Sequence, residues 1–223
     1  ITATGLTIGK DTNGSIKVDK LTAENSSNIS SKLELNTDKS ITFANNDSVF
    51  SPFNLNLNAD SGIVLNQSVT SAGTTTIDSD VDNNGVGDFT IATSKELLTG
   101  NNTLQITAND VDLSGTLNSG TASMELLVSD DGTIGLGDFS DAGDNLNDDS
   151  IVAGFSLSGI ELQNITAEGL TIGKDTNGSI TVDNLTAANS ANITSKLELN
   201  TDKSITFANK DSVFSPFDLN LNA

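Results

Sequence analysis

Histidine, cysteine, arginine, tryptophan and tyrosine are all absent from this chain of 223 residues. Without histidine and cysteine, the sequence excludes a zinc site built on those ligands, a thiol nucleophile and a Ser-His-Asp triad. Carboxylate chemistry and the binding of hard cations such as calcium remain open, because both use oxygen atoms that the chain has in abundance.

Positive charge is also scarce, with ten lysines against thirty acids and a net charge of −20. Nucleic acid is therefore excluded as a partner, since its binding depends on lysine and arginine that neutralise phosphates. The charge is uneven: residues 60–164 carry 17 acids and only Lys95, whereas residues 1–59 carry six acids and five lysines. A repelling, solvated acidic surface would keep a long polymer soluble.

Long apolar runs are missing as well. No stretch approaches the ~18 consecutive apolar residues of a membrane-spanning helix, so the sequence predicts no transmembrane segment. No signal peptide is recognisable, and the chain begins inside a repeated sequence. We therefore expect any targeting segment to lie upstream of Ile1.

Proline occurs only at Pro52 and Pro216, which occupy the same place in two copies of one sequence. Residues 1–59 return as residues 165–223 at a constant offset of 164. The copies differ at eight positions: Thr4/Glu168, Lys17/Thr181, Lys20/Asn184, Glu24/Ala188, Ser27/Ala191, Ser30/Thr194, Asn46/Lys210 and Asn54/Asp218. The repeat predicts one continuous solenoid segment over 1–223, with a 164-residue unit at 1–164 and a partial second unit at 165–223. We expect neighbouring units of the same chain to stack on both ends, and lateral self-association is a further expectation.

Short segments with alternating apolar residues follow one another along the chain, and this period is typical of β-strands. Examples are 33–35, 55–57, 104–106, 134–136 and 160–162, each with two inward-facing apolar residues around a polar or small one. Glycine, asparagine, aspartate and serine separate the segments and favour turns. No sustained helical stripe is present, so the sequence predicts an all-β chain.

Parallel coils explain the pattern better than hairpins, because two-residue Asn-Gly loops are few and the apolar residues are mostly small aliphatics. We predict a parallel β-helix, or β-solenoid, with about 20–24 residues per coil and about seven or eight coils per unit. The predicted buried residues in its first coils are Leu6, Ile8, Ile16, Val18, Leu33, Leu35, Ile41, Phe43, Leu55, Leu57, Ile63 and Leu65.

Three stretches carry a resemblance to a known family: SLSGIELQNITAEGLTIGKDTNGSITVDNLTAANSANI at 156–193, DDGTIGLGD at 130–138 and FNLNLNADSGIVLNQSVTSAG at 53–73. In composition and rhythm they resemble the giant secreted bacterial proteins related to filamentous haemagglutinin. The resemblance implies a right-handed parallel β-helix that is secreted or displayed at the cell surface. It brings no catalytic residue to this chain.

The best candidate for a metal site is the loop DSDVDNNGVGD, in which Asp78, Asp80, Asp82 and Asp88 offer the oxygen ligands that calcium prefers. The first part resembles an EF-hand loop, but the glycine comes two places late and Phe89 stands where the bidentate glutamate belongs. The alternative is a solvated loop that leaves one coil and returns.

A second acidic tract, residues 138–149, is also a candidate for calcium, with a hydrated excursion as its alternative. The neighbouring acids Asp130/Asp131 and Asp148/Asp149 invite comparison with the carboxylate pairs of polysaccharide hydrolases. Arginine, histidine, tyrosine and tryptophan are absent, so an enzyme of this kind would lack the usual means of holding a sugar.

These observations favour a structural role in a giant extracellular fibre, stalk or adhesin shaft, without enzymatic activity. A calcium-binding or partner-binding module that uses the acidic loops is the first alternative. A carbohydrate-active β-helix enzyme is the second.

Overall fold

The computed structural model of the chain describes residues 1–10, 12–50, 53–138, 154–208, 210–215 and 217–223. Within them the chain is a parallel β-solenoid of about eight turns, with only 4% helix. The predicted fold class is confirmed. The two described helices, α1 (Ala23–Ser26) and α2 (Gly159–Gln163), are much too short and polar to span a membrane.

The longest strands stack in parallel on one side of the solenoid, which we call face one. They are β1 (Ala3–Lys10), β3 (Ile29–Thr37), β6 (Asn54–Ala59), β9 (Thr75–Asp78), β12 (Leu104–Ala108), β15 (Met124–Val128), β18 (Ile165–Ile172), β20 (Ile193–Asn200) and β22 (Asp218–Asn222). Each pairs with the next in this order, so the hydrogen bonds of face one run along the solenoid axis.

Shorter strands form the other two sides. Face two contains β2 (Ile16–Val18), β4 (Ile41–Phe43), β7 (Ile63–Leu65), β10 (Phe89–Ile91) and β13 (Val111–Leu113), followed by β17 (Gly154–Leu157), β16 (Thr133–Gly137), β19 (Ile180–Asp183) and β21 (Ile205–Phe207). Face three contains β5 (Ser48–Val49), β8 (Val69–Thr70), β11 (Glu96–Leu98) and β14 (Thr116–Asn118), and the first residues of β18 pair with β14.

Coil length varies more than the sequence pattern predicted. Leu33 pairs with Leu55 and Leu55 with Thr75, which are offsets of 22 and 20 residues. Offsets of 27, 29 and 46 occur where Leu6 pairs with Leu33, Thr75 with Leu104 and Met124 with Leu170. The 164-residue unit from Leu6 to Leu170 therefore holds six coils. The predicted seven or eight coils exceed the six steps on face one, because three intervals are longer than 24 residues, and the longest of them contributes both β16 and β17 to face two.

Apolar side chains at alternate strand positions fill the interior as predicted. Leu33, Leu35, Leu55 and Leu57 are buried on face one, and each stacks on its counterpart in the next coil. The phenyl rings form an edge-to-face chain, in which the ring centroids of Phe43 and Phe50 lie 6.3 Å apart and those of Phe50 and Phe53 lie 6.2 Å apart. Such contacts add stabilisation beyond the buried area.

Three of the predicted core residues are not buried. Ile8 is 46% exposed, and Leu6 and Ile16 are half-buried. Their inward direction is correct, since Leu6 and Ile8 stack on Leu33 and Leu35. They lie in the first described coil, where no other described coil covers their second side.

The eight positions that differ between the copies are exposed or half-buried in both. The differences between the copies therefore lie outside the solenoid core. Backbone pairing repeats as well: a register shift falls between Ala3 and Gly5 in the first copy and between Ala167 and Gly169 in the second.

The order of strands along face two is interrupted once. β17 lies between β13 and β16, although it follows β16 in the chain. β17 pairs with β16 through all four of its residues, and helix α2 then returns the chain to face three. The predicted strand at 160–162 is wrong, because Ser158 caps this helix and Glu161 completes the capping box.

Candidate functional site

The predicted calcium loop leaves the solenoid after β9 and returns at β10, at the corner between faces one and two. Asp80, near the start of this loop, is fully buried, and both oxygens of its carboxylate accept hydrogen bonds. One carboxylate oxygen, Oδ1, accepts a hydrogen bond from the Asn84 amide at 3.1 Å. The other, Oδ2, accepts from the Gly85 amide at 3.1 Å and from the Ser129 hydroxyl at 2.6 Å. These donors satisfy the buried charge, so Asp80 ties the loop to a later coil.

The return of the loop depends on close approach of the backbone. A Cβ atom added at Gly87 would lie 2.2 Å from the carbonyl oxygen of Ser79 and 2.6 Å from the Cβ of Asp80. Only glycine allows the two ends of the excursion to come this close. The loop is therefore closed at its base by Asp80 and Gly87.

The other three predicted ligands use their oxygens separately. Asp78 Oδ1 accepts from the Asp80 amide at 3.3 Å, Asp82 Oδ2 from the Asn84 side chain at 2.7 Å, and Asp88 Oδ1 from the Asn109 side chain at 2.9 Å. Among the described residues, no three acidic side chains converge on a point where a metal ion could bind. Calcium binding by Asp78, Asp80, Asp82 and Asp88 stays a prediction. Melting with and without calcium tests it, because a ligand of the folded state alone raises stability.

Burial raises the pKa of the half-buried Asp78 carboxyl. The negative charges of Asp80 and Asp60 act in the same direction, whereas the hydrogen bond from the Asp80 amide and the charge of Lys174 oppose the shift. Asp60, Asp78 and Asp80 therefore lie close enough together to repel one another, and the positive charge of Lys174 partly offsets this repulsion.

A second arrangement of acids, which the sequence did not predict, bridges the gap between β13 and β17. We call it the side-chain junction: Asp110, Leu113, Ser156, Glu161 and Asn164. Asp110 Oδ1 accepts from the Ser156 amide at 2.7 Å. Glu161 Oε1 accepts from the Leu113 amide at 3.0 Å, and the Asn164 side chain donates to the Leu113 carbonyl at 2.8 Å. In this gap, side chains thus bind the backbone amides and carbonyls that a paired neighbouring strand binds elsewhere on face two.

Burial raises the pKa of Asp110 to about 7, and the charges of Asp88 and Glu161 act in the same direction. The Ser156 and Val111 amides oppose this rise by donating hydrogen bonds to the carboxylate. The junction therefore contains an acid that changes its charge near neutral pH. The capping-box sequence at Ser158–Glu161 could have indicated the helix, but no local signal places Asp110 against Ser156.

The acid pairs proposed for hydrolysis have a structural use where they are described. Asp130 Oδ1 accepts from the Gly132 amide at 2.7 Å, which is a turn interaction, and Asp131 is exposed. Asp148 and Asp149, and most of the acidic tract at 138–149, lie outside the described residues. The calcium prediction for that tract is therefore not tested.

The outer side of face one has a shallow polar groove. It is lined by Thr74, Thr76, Thr103, Leu104, Gln105, Ser123 and Glu125. The Gln105 side chain donates to Glu125 at 2.6 Å, so the long side chains bind one another across the coils.

Comparison of this chain with protein-family models, with curated proteins and with solved structures gave no match. The functional proposal therefore depends on the residues, on the fold and on the repeat.

Proposed function

We propose that this chain is a structural segment of a β-solenoid fibre, and that its role is to provide length and stiffness. The observation that carries the proposal is the continuity of the second copy with the first unit. β18, which opens the second copy, pairs in parallel with β15 through Met124–Leu170, Glu125–Thr171 and Leu126–Ile172. A repeat that continues the same ladder is suited to extension by further repeats.

Stiffness follows from the direction of the hydrogen bonds. Strands on face one pair along the axis from β1 to β22, and the interior ladder of aliphatic residues runs beside them. Bending such a rod would require many backbone hydrogen bonds to lengthen together, and packed interiors resist deformation. Six steps along face one at about 4.8 Å each give a rise of roughly 29 Å per unit on that side.

The surface is consistent with a solvated shaft. The unit carries most of its net negative charge in residues 60–164, and like charges keep long polymers apart in solution. Two lysines pair with glutamates along face one, Lys32 with Glu34 and Lys196 with Glu198. We propose a structural rather than an enzymatic role, because Asp110, Asp130 and Glu161 each accept hydrogen bonds from backbone amides and so hold the fold together.

We further propose that the fibre is secreted or displayed at a bacterial cell surface, as a stalk or adhesin shaft. The resemblance of residues 53–73, 130–138 and 156–193 to proteins related to filamentous haemagglutinin supports this location. Binding of calcium or of a partner by the acidic loops stays the alternative function.

The experiment is to compare the chain with versions that are longer by one and two whole 164-residue units. Small-angle scattering and electron microscopy should show a rod of constant width whose length grows by about 29 Å per unit. A set of separate globular bodies joined by flexible segments would contradict the proposal.

A further inference from the structure

The two copies of the repeated sequence differ in how much of their interior is covered. Ile172 is fully buried, but Ile8, which occupies the same position in the first copy, is 46% exposed. Leu170 and Ile180 are also fully buried, while the equivalent Leu6 and Ile16 are only half-buried. The sequences are identical at these positions, so the difference in exposure shows how much apolar surface of the second copy is covered by the coil that lies against it.

That neighbour is the last coil of the first unit. Met124 and Leu126 of β15 stack on Leu170 and Ile172 of face one. Ile134 and Leu136 of β16 stack on Ile180 and Val182 of face two. The first copy presents the same apolar pattern with Leu6, Ile8, Ile16 and Val18.

Polar contacts make the same interface specific. The Lys174 ammonium donates to the Ser129 carbonyl at 3.2 Å, and the Gly178 amide donates to the Gly132 carbonyl at 2.8 Å. The Asn189 side chain donates to the Gly159 carbonyl at 2.8 Å, and the Asn192 side chain donates to the Gln163 carbonyl at 2.9 Å.

All four donors are retained in the first copy, as Lys10, Gly14, Asn25 and Asn28. Glu168, which replaces Thr4, also contacts the neighbouring coil, but it uses only its backbone amide, 3.1 Å from the Ala122 carbonyl. The differences between the copies therefore leave the side chains of these contacts unchanged.

At the other end of the solenoid, the second copy is the one whose interior residues are more exposed. Phe43 and Leu57 are buried beneath Leu65 of β7 and Ile77 of β9. The equivalent Phe207 and Leu221 are each 45% exposed. Among the described residues, no coil covers the upper side of the second copy as one covers the first copy, and none covers the lower side of the first copy.

We infer that the uncovered faces of the two copies bind the same partner, the coils formed by residues 60–138 and 154–164 of another repeat unit. The last coil of that block fits Leu6, Ile8, Ile16 and Val18, and its first coil fits Phe207 and Leu221. The inference deepens the proposed fibre, on which it rests, by naming the joint between units and its register. In that register Met124 meets Leu6, and Ile134 meets Ile16.

The test compares two chains extended at the N-terminus. The matched extension places residues 60–164 directly before Ile1. The mismatched extension places residues 60–116 there, which end at the same phase of the coil because Leu117 and Ile165 pair on face three. In this mismatched chain, β12 and β13 would lie against the first copy, and the carbonyls of Ser129, Gly132, Gly159 and Gln163 would be absent.

Hydrogen-exchange mass spectrometry of peptides from residues 1–20 gives the result. In the matched extension, we expect these amides to become as protected as those of 165–184, and in the mismatched extension to stay less protected. Equal protection of residues 1–20 in both extended chains would overturn the inference that the last coil of the unit is the specific partner. It would leave a fibre in which any coil can stack on the first copy. Protection in neither, with rods that still lengthen when whole units are added, would overturn the inference alone.

Discussion

The hydroxyl of Ser129 donates a buried hydrogen bond of 2.6 Å to the carboxylate of Asp80, which lies two strands earlier on face one. Asp80 is fully buried, and the two backbone amides that it also binds belong to its own loop. Of the three hydrogen bonds that Asp80 accepts, the one from Ser129 is therefore the one that reaches a different coil. It explains why a long acidic excursion can be ordered at its base.

The first prediction removes this donor. Ser129→Ala should lower the free energy of unfolding by about 1.5–3 kcal/mol, because a buried charge loses a hydrogen bond. Ser114→Ala is the matched control, since Ser114 is exposed, and it should change stability by no more than about 0.5 kcal/mol. Urea unfolding measures both. Equal effects of the two substitutions would show that Asp80 does not anchor the loop.

The second prediction uses the repeat as its own control. Leu57 and Leu221 occupy the same position, but Leu57 is 1% exposed and Leu221 is 45% exposed. Leu57→Ala should cost about 2–5 kcal/mol through lost burial and a cavity. Leu221→Ala should cost less than half as much, because its side chain is partly in water already. A similar cost in urea unfolding at both positions would contradict the burial that separates the copies.

The alternation of apolar residues predicted which side chains point into the solenoid, because this direction depends only on the strand to which a residue belongs. Leu55 and Leu57 show this, since the pattern alone gives their direction. Ile8 shows the limit: its direction was predictable, but its burial requires a second neighbouring coil, and the described residues place none on that side of it.

The side-chain junction could not be predicted, since it depends on the insertion of β17 before β16 along the axis. No local pattern encodes an order of strands that differs from the order of the sequence. Asp110 is buried because of that insertion, and in sequence it is only an aspartate before a strand. The acidic residues of the predicted calcium loop were visible, but their separate hydrogen-bond partners were not.

The third prediction concerns a backbone position that the two copies fill differently. Lys20 has φ +54° and Asn184, its equivalent, has φ +52°. Asparagine tolerates this left-handed conformation better than lysine. Lys20→Asn should therefore stabilise the chain by up to about 1 kcal/mol.

Lys20→Gln is the control, because it removes the same charge without favouring the left-handed region. It should leave the melting temperature lower than that of the Lys20→Asn variant. If both variants melt together, the benefit would come from the charge and not from the backbone.

The last prediction is a pH dependence that originates at Asp110. Its pKa is raised to about 7 by burial, whereas an unfolded aspartate titrates near 3.8. Between these values the folded state holds a proton that the unfolded state has lost, so stability falls as pH rises and levels off above about 7. A tenfold difference in proton affinity between the folded and unfolded states corresponds to about 1.4 kcal/mol, so the effect should be on the order of a few kcal/mol.

Asp110→Asn should remove this dependence, because the amide stays neutral and its oxygen can still accept from the Ser156 amide. Urea unfolding at pH 5, 6, 7 and 8 should show the variant gaining on the wild type as pH rises. Asp112→Asn removes an exposed charge from the same strand and should follow the wild-type profile. The groups that face Asp110 are Asp88 before β10, Ser156 of β17 and Glu161 of α2, and the charges of the two acids reinforce the rise in its pKa. A constant difference between Asp110→Asn and the wild type from pH 5 to pH 8 would mean that the junction does not titrate in this range.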